Sequence, residues 1–304
     1  MTRSGYIVDM LSVSIIGVGR VGGALALSLP SEKYRVTGLV SREWTDEVTA
    51  IAAKVGSARL LPPDDLADGM KSDVVFFTTQ DTELKNAINE YRGWITDAVV
   101  FHTSGSTPSS ILDPLREGGN TIGSLHPLVS VSRAELGPER FPGAYMCVEG
   151  DPAAVELGRR IVNDLGGKPF CIETKFKTLY HAAAVTACGH LVALFDAAIE
   201  MMEDCGLSPE QSTEILLPLV SSTVGNLSRQ STAEALTGTF ARADSETFTR
   251  HLAALNEVGS DELLEIYLLL GERSLELAAK AGVSPARIEK MRSKVAVAKS
   301  KLKW

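Results

Sequence analysis

SIIGVGRVGGALALSL, Ser14 to Leu29, decides how the first half of the chain reads. It opens inside LSVSII (Leu11 to Ile16), a short apolar run with β-branched residues that reads as a buried strand. After the turn, VGGALALSL carries small and apolar residues at helical spacing. Strand, glycine turn and helix in that order make Gly17-Val18-Gly19-Arg20-Val21-Gly22 a dinucleotide-binding signal. Gly17 permits the tight turn, Gly19 lets a pyrophosphate approach the backbone, and Gly22 lets the helix close on the strand. Free N–H groups and the helix dipole favour an anion at that end. A glycine-rich turn without a ligand is the plainer alternative.

The second strand is predicted at YRVTGLV (Tyr34 to Val40), and its tip is Ser41-Arg42 rather than an acid. An Asp or Glu there would accept from the adenosine ribose and select NAD. An arginine suits the extra 2′-phosphate of NADP instead. Glu43 stands one residue later, and Arg42 could equally be an ordinary surface arginine. The reading favours NADP(H).

Composition narrows the field. The chain has 304 residues, enough for two domains, with an ordinary apolar share of 44%. A net charge of −8 argues against a nucleic-acid footprint. Four cysteines (Cys147, Cys171, Cys188, Cys205) form no C-x-x-C pair and no metal-ligand spacing, so no metal is expected and reduced thiols in the cytoplasm are. Near the N-terminus, Asp9, the glycines and Arg20 interrupt any signal-peptide core after Arg3. AAAVTACGHLVALFDAAI (Ala182 to Ile199) is long enough for a membrane span. It carries His190 and Asp196, and much of its apolarity is alanine. A core helix or subunit interface is the expectation, with no membrane partner.

Strand and helix signals alternate through the first half. SDVVFFTT, AVVFHTSG, NTIGSLHPL, GAYMCVEG and KPFCIET read as further strands. This rhythm predicts an α/β fold, a doubly wound and mostly parallel sheet. From Lys175 onward helices take over: 175–205, 208–229, 244–256, 261–281 and 284–302. Ser208-Pro209 and Ser284-Pro285 are good helix starts. The expected division is a dinucleotide domain over 1–174 and an all-α domain over 175–304.

Ligands of such sheets lie beyond the carboxyl ends of the strands. Thr78, Thr79 and Gln80 therefore follow the cofactor, while Asp81 reads equally as a helix cap. Ser104 sits where an active-site rim belongs, and His102 reads as a buried histidine. His126, beside Pro127, could donate to a substrate oxygen or serve structure alone. Lys177 and His181 are four residues apart on one helix face. A lysine opening a helix opposes the dipole, which suggests a substrate carboxylate or developing alkoxide nearby; a solvated stem is the alternative.

GVGRVGGALA, VSR, HTSGS, IGSLHPL, FPGAYMCVEGDP, LGGKPF, KTLYHAAAV and ALTGTFARAD together resemble a bacterial family: Rossmann-like NAD(P)-binding proteins with a C-terminal domain of unknown function 2520. The family is similar in layout to ketopantoate reductases, pyrroline-5-carboxylate reductases and β-hydroxyacid dehydrogenases. Some members occupy the ketopantoate reductase step of pantothenate biosynthesis. The resemblance implies an NADPH-dependent reductase of a small carboxylate substrate, with ketopantoate the leading choice and a pyrroline-type imine the alternative. A non-catalytic NADP-binding sensor is the rival from another class. It also implies a homodimer formed through the helical domain. Lys177 matches the lysine with which β-hydroxyacid dehydrogenases open this helix; those enzymes have Asn where this chain has His181. Ser104 with His126-Pro127 also resembles prephenate dehydrogenases. Thr237 and Arg242 fall on the substrate side, in a segment with Thr239 where the family usually has Pro.

Overall fold

The computed structural model describes residues 10–43, 45–56, 59–60 and 70–302. Arg3 and Asp9, on which the N-terminal reading rests, lie outside the described residues. Eight strands are described: β1 (Leu11–Ile16), β2 (Tyr34–Val40), β3 (Arg59–Leu60), β4 (Val74–Phe77), β5 (Val99–His102), β6 (Thr121–Pro127), β7 (Tyr145–Gly150) and β8 (Lys168–Cys171). They form one sheet in the order β3-β2-β1-β4-β5-β6-β7-β8. Every pairing is parallel except the antiparallel β6·β7.

Both faces are covered, as the continuous apolar strands require. Val13, Ile15, Val74, Phe76 and Phe101 point to one side, against α1 (Arg20–Ser28), α2 (Asp46–Val55) and α5 (Pro152–Asp164). Ile16, Val75, Phe77 and Val100 point to the other, against α3 (Asp81–Tyr91) and a 3-10 segment over Ser109–Gly118. A short α4 (Gly137–Arg140) packs on α1. Alternate residues of one strand thus feed two cores. The order reverses between β1 and β4, so their carboxyl ends open a crevice at the topological switch point.

Helix α5 was absent from the sequence expectation. Pro152 at its start and the preceding Gly150-Asp151 read as turn signals between strands. The amphipathic stripe Ala154, Gly158, Ile161 and Val162 nevertheless closes one face of the sheet.

The remaining helices are α6 (Lys177–Glu203), α7 (Pro209–Leu227), α8 (Thr232–Ala235), α9 (Gly238–Ala241), α10 (Ser245–Val258), α11 (Asp261–Lys280) and α12 (Pro285–Lys299). The five long ones match the predicted segments to within a few residues. A capping box between Ser208 and Gln211 starts α7. Ser284 is the residue before α12 but makes no side-chain cap bond. A core of Phe248, Leu268, Leu275, Met291 and Val295 joins α10, α11 and α12.

The chain divides into compact units over 1–188 and 189–304. The character of the sequence changes at 174/175, but the first turns of α6 belong to the strand-bearing unit. Lys177, Thr178 and Tyr180 hydrogen-bond Ser124, the Ser106 carbonyl and His126 within it. Helical residues 174–203 are long and apolar enough to cross a membrane by composition. Only 6% of that apolar window is buried in the single chain, which removes the core-helix expectation.

Candidate active site

A groove of about 480 Å³ lies at the switch point between β1 and β4. It is lined by Gly17, Val18 and Gly19 from the turn, Ser41 and Arg42 from the β2 tip, and Thr78, Thr79 and Gln80 after β4. Eight of the eleven sequence-predicted cofactor residues therefore meet in one place. Arg20, Val21 and Gly22 belong to the first turn of α1 and lie outside this lining; Gly22 is buried.

Each glycine has a distinct physical reason. Gly17 takes φ +97°, and a Cβ there would come within 2.9 Å of the Thr79 backbone nitrogen. A Cβ on Gly22 would collide with the Gly17 carbonyl and the Thr78 hydroxyl, which are themselves hydrogen-bonded to each other. Gly19 is the opposite case, because its Cβ would meet nothing within 4 Å. No side chain caps α1 at Gly19, and no acid stands in its first turn. The helix therefore presents unpaired N–H groups and positive partial charge to open space. Thr79 Oγ1 is buried without a hydrogen-bond partner among the described residues. This cradle fits a dinucleotide pyrophosphate.

At the adenosine end, Arg42 donates to Glu83 of α3 at 2.7 Å, and its second nitrogen lies 4.0 Å from Glu90. Ser41 Oγ donates to the Glu43 carbonyl.

The other sequence-predicted residues gather at the ends of β5 and β6 and the start of α6. Gln80, in the groove, precedes Asp81, whose carboxylate accepts from Ser106 at 2.7 Å. Next to Ser106, Gly105 is wedged under two imidazoles: a Cβ there would lie 2.8 Å from His126 Nε2 and collide with His181. The His126 and His181 rings stand edge to face, 5.9 Å between centroids. His126 Nδ1 lies 2.8 Å from the Tyr180 hydroxyl. Sequence reading missed Tyr180, which is one residue before His181 on α6, so the helix that carries one also carries the other.

Lys177 is fully buried, its ammonium donating to Ser124 Oγ at 2.8 Å. Its stem turns inward, which answers why a lysine opens this helix against the dipole. Burial lowers its pKa, and the nearby Cys147, Glu149 and Asp81 partly oppose that. Glu149 is itself buried; it accepts from the Ser109 N–H and hydroxyl and from Thr174, tying down the turn that leads into Lys177.

Burial, then the Lys177 charge and His181, pull the His126 pKa down to about 4, so its imidazole is neutral at neutral pH. His102 is driven to about 3, mainly by burial, and its Nδ1 accepts from the Ser104 N–H. Ser104 is also buried, with Oγ accepting from the Thr107 N–H at 3.0 Å. It lies below the surface rather than on an open rim. Thr237 and Arg242 are exposed residues of the second unit, flanking α9. Among the described residues no group of His, Cys, Asp or Glu could hold a metal ion.

Two family models match the chain. A Rossmann-like domain covers residues 2–127, and a domain of unknown function, DUF2520, covers 144–274. The chain carries both domains. No curated protein matches it in sequence. Among solved structures, a Thermotoga maritima protein is similar at 23% identity and TM-score 0.70, over 88% of this chain and 99% of that one. A Bacteroides fragilis protein proposed to be an NADP oxidoreductase is similar at 21% identity and TM-score 0.68, with the same coverage. A Myxococcus stipitatus imine reductase in complex with NADP+ is similar at 15% identity and TM-score 0.59, over 92% and 99%. These likenesses establish the shared fold.

Proposed function

We propose that this Rossmann–DUF2520 chain is an NADPH-dependent reductase of a small carboxylate substrate. The observation that carries the reading is the open, uncapped cradle at Gly19, linked through Gln80, Asp81 and Ser106 to the His126–His181 pair. NADPH, when bound, supplies a hydride. Gly17, Gly19 and the α1 amides would hold its pyrophosphate, and Arg42 its 2′-phosphate.

His126 acts as the hydrogen-bond donor to the substrate oxygen. The Tyr180 phenol, its pKa raised by burial, stays protonated and donates to Nδ1. The imidazole proton then sits on Nε2, the nitrogen beside Gly105. Lys177, buried and donating to Ser124 Oγ, takes an electrostatic role in this reading rather than that of proton donor, its ammonium favouring negative charge that develops on the substrate. That favours a C=O bond becoming an alkoxide over a cationic iminium, and a 2-keto acid such as ketopantoate is the leading substrate class. The reading for C=N reduction is supported by similar folds: the imine reductase named above and a Plasmodium falciparum pyrroline carboxylate reductase with NADP bound (TM-score 0.54, 13% identity, 88% and 98% covered). For partners, we propose a homodimer in which exposed apolar side chains of the helical unit, Val192 of α6 and Leu219 of α7 among them, are covered by a second copy.

The test is NADPH oxidation against parallel panels of 2-keto acids and cyclic imines. Turnover confined to keto acids supports the reading, and turnover confined to imines replaces it with the second. NADPH binding with no turnover on either panel refutes both and leaves a cofactor-binding sensor.

A further inference from the structure

The adenosine end of the groove holds more acid than cofactor selection by an arginine requires. Glu43, Glu47, Glu83 and Glu90 all line it, with Arg42 the basic residue among the lining side chains. Arg42 is already engaged there. Its guanidinium donates to Glu83 at 2.7 Å and faces Glu90 at 4.0 Å. Both partners of the closer pair are open to water, with side chains 59% and 40% exposed, so the contact can exchange without unpacking a core.

Glu83 does not occupy this place by accident of a flexible surface. It sits in the first turn of α3, where the helix N-terminus favours a carboxylate. Its backbone N–H bonds back to Gln80, the groove residue that begins the helix. The carboxylate is thus presented on a rigid element, and the β2 tip brings Arg42 to it. A 2′-phosphate arriving at Arg42 competes for the same fork of donors, and a retained Glu83 charge repels it.

We infer that Glu83 is a specificity-determining residue that holds Arg42 and competes with the cofactor 2′-phosphate for it. Glu83 thereby weakens the preference of this chain for NADPH over NADH. The inference rests on the NADPH reading of the same groove. It makes Arg42 a guarded site rather than a free anion trap.

Glu83→Gln keeps the shape and removes the charge. The measurement is the Kd of NADPH, NADH and 2′-AMP by calorimetry on the full chain, for wild type, Glu83→Gln, Arg42→Ala and the double variant. Glu83→Gln is expected to tighten NADPH and 2′-AMP about two- to fivefold, the range of an exposed ion pair, and to move NADH by less. Most of that gain is expected to vanish when Arg42 is already alanine. Unchanged or weakened NADPH binding in Glu83→Gln overturns the inference, as does an equal shift for NADH or an undiminished gain without Arg42. Failure of the underlying reading looks different: wild type then binds no NADPH, or Arg42→Ala leaves NADPH and 2′-AMP untouched.

Discussion

His102 should control how the strand-bearing unit tolerates acid. It ends β5, fully buried, and burial with the Lys177 charge takes its pKa from 6.5 to about 3. The unfolded chain therefore binds this proton first as pH falls. Stability is fully present above about pH 6.5 and is lost progressively down to about pH 3. Linkage with these two values makes the loss between pH 7 and pH 5 about 2 kcal/mol from this residue. His102→Leu removes the titration. At pH 7 it costs about 1 kcal/mol, because the Ser104 N–H loses its acceptor. At pH 5 the variant should equal or exceed wild type. Urea unfolding of both proteins at the two pH values measures the difference. Parallel pH dependence in the two proteins would refute the buried-neutral assignment.

Other expectations follow from the same geometry. Gly22→Ala should destabilise by roughly 1–3 kcal/mol, because the new methyl collides with the Gly17 carbonyl, which cannot rotate away; thermal unfolding would read a fall of several degrees. Lys177→Met should raise the His126 pKa from about 4 in an NMR titration, since the Lys177 charge is the second cause depressing it. In that variant NADPH affinity should stay, whereas His126→Ala should lower kcat about a hundred- to a thousandfold, the cost of losing one preorganised donor. A dead lysine variant beside a fully active His126→Ala would reverse the two roles. Light scattering should give about twice the 32.5 kDa chain mass, and a monomer at micromolar concentration would reject the proposed homodimer.

The cofactor groove was legible because its residues are contiguous and backbone-driven. Gly17, Gly19 and Gly22 announce themselves by spacing, and strand ends place Ser41, Thr78 and Thr79 beside them. The second centre was only partly legible. His126, Lys177 and His181 were singled out, but nothing in their spacing tells that Lys177 turns inward to Ser124, 53 residues away. Ser104 reads as a rim hydroxyl from its place after β5, whereas the structure buries it and its Oγ accepts from the Thr107 N–H. The Arg42–Glu83 pair joins positions 41 apart and needs the β2 tip and α3 to be folded side by side. Helix α5 was hidden because proline and glycine punctuate helix starts and turns alike. The five long helices of the second half were readable from periodicity and start signals, while the short α8 and α9 were not.

The most direct test of the cofactor cradle is Gly19→Val. The position has open space where a Cβ would stand and a backbone at φ −92°, so valine should leave folding unchanged while filling the place reserved for the pyrophosphate. NADPH binding by calorimetry, with the melting temperature measured beside it, separates the two effects. Wild type should bind NADPH, and Gly19→Val should lose at least about tenfold in affinity at an unchanged melting temperature. Unaltered NADPH affinity in a folded Gly19→Val protein would contradict the cradle, and with it the reductase.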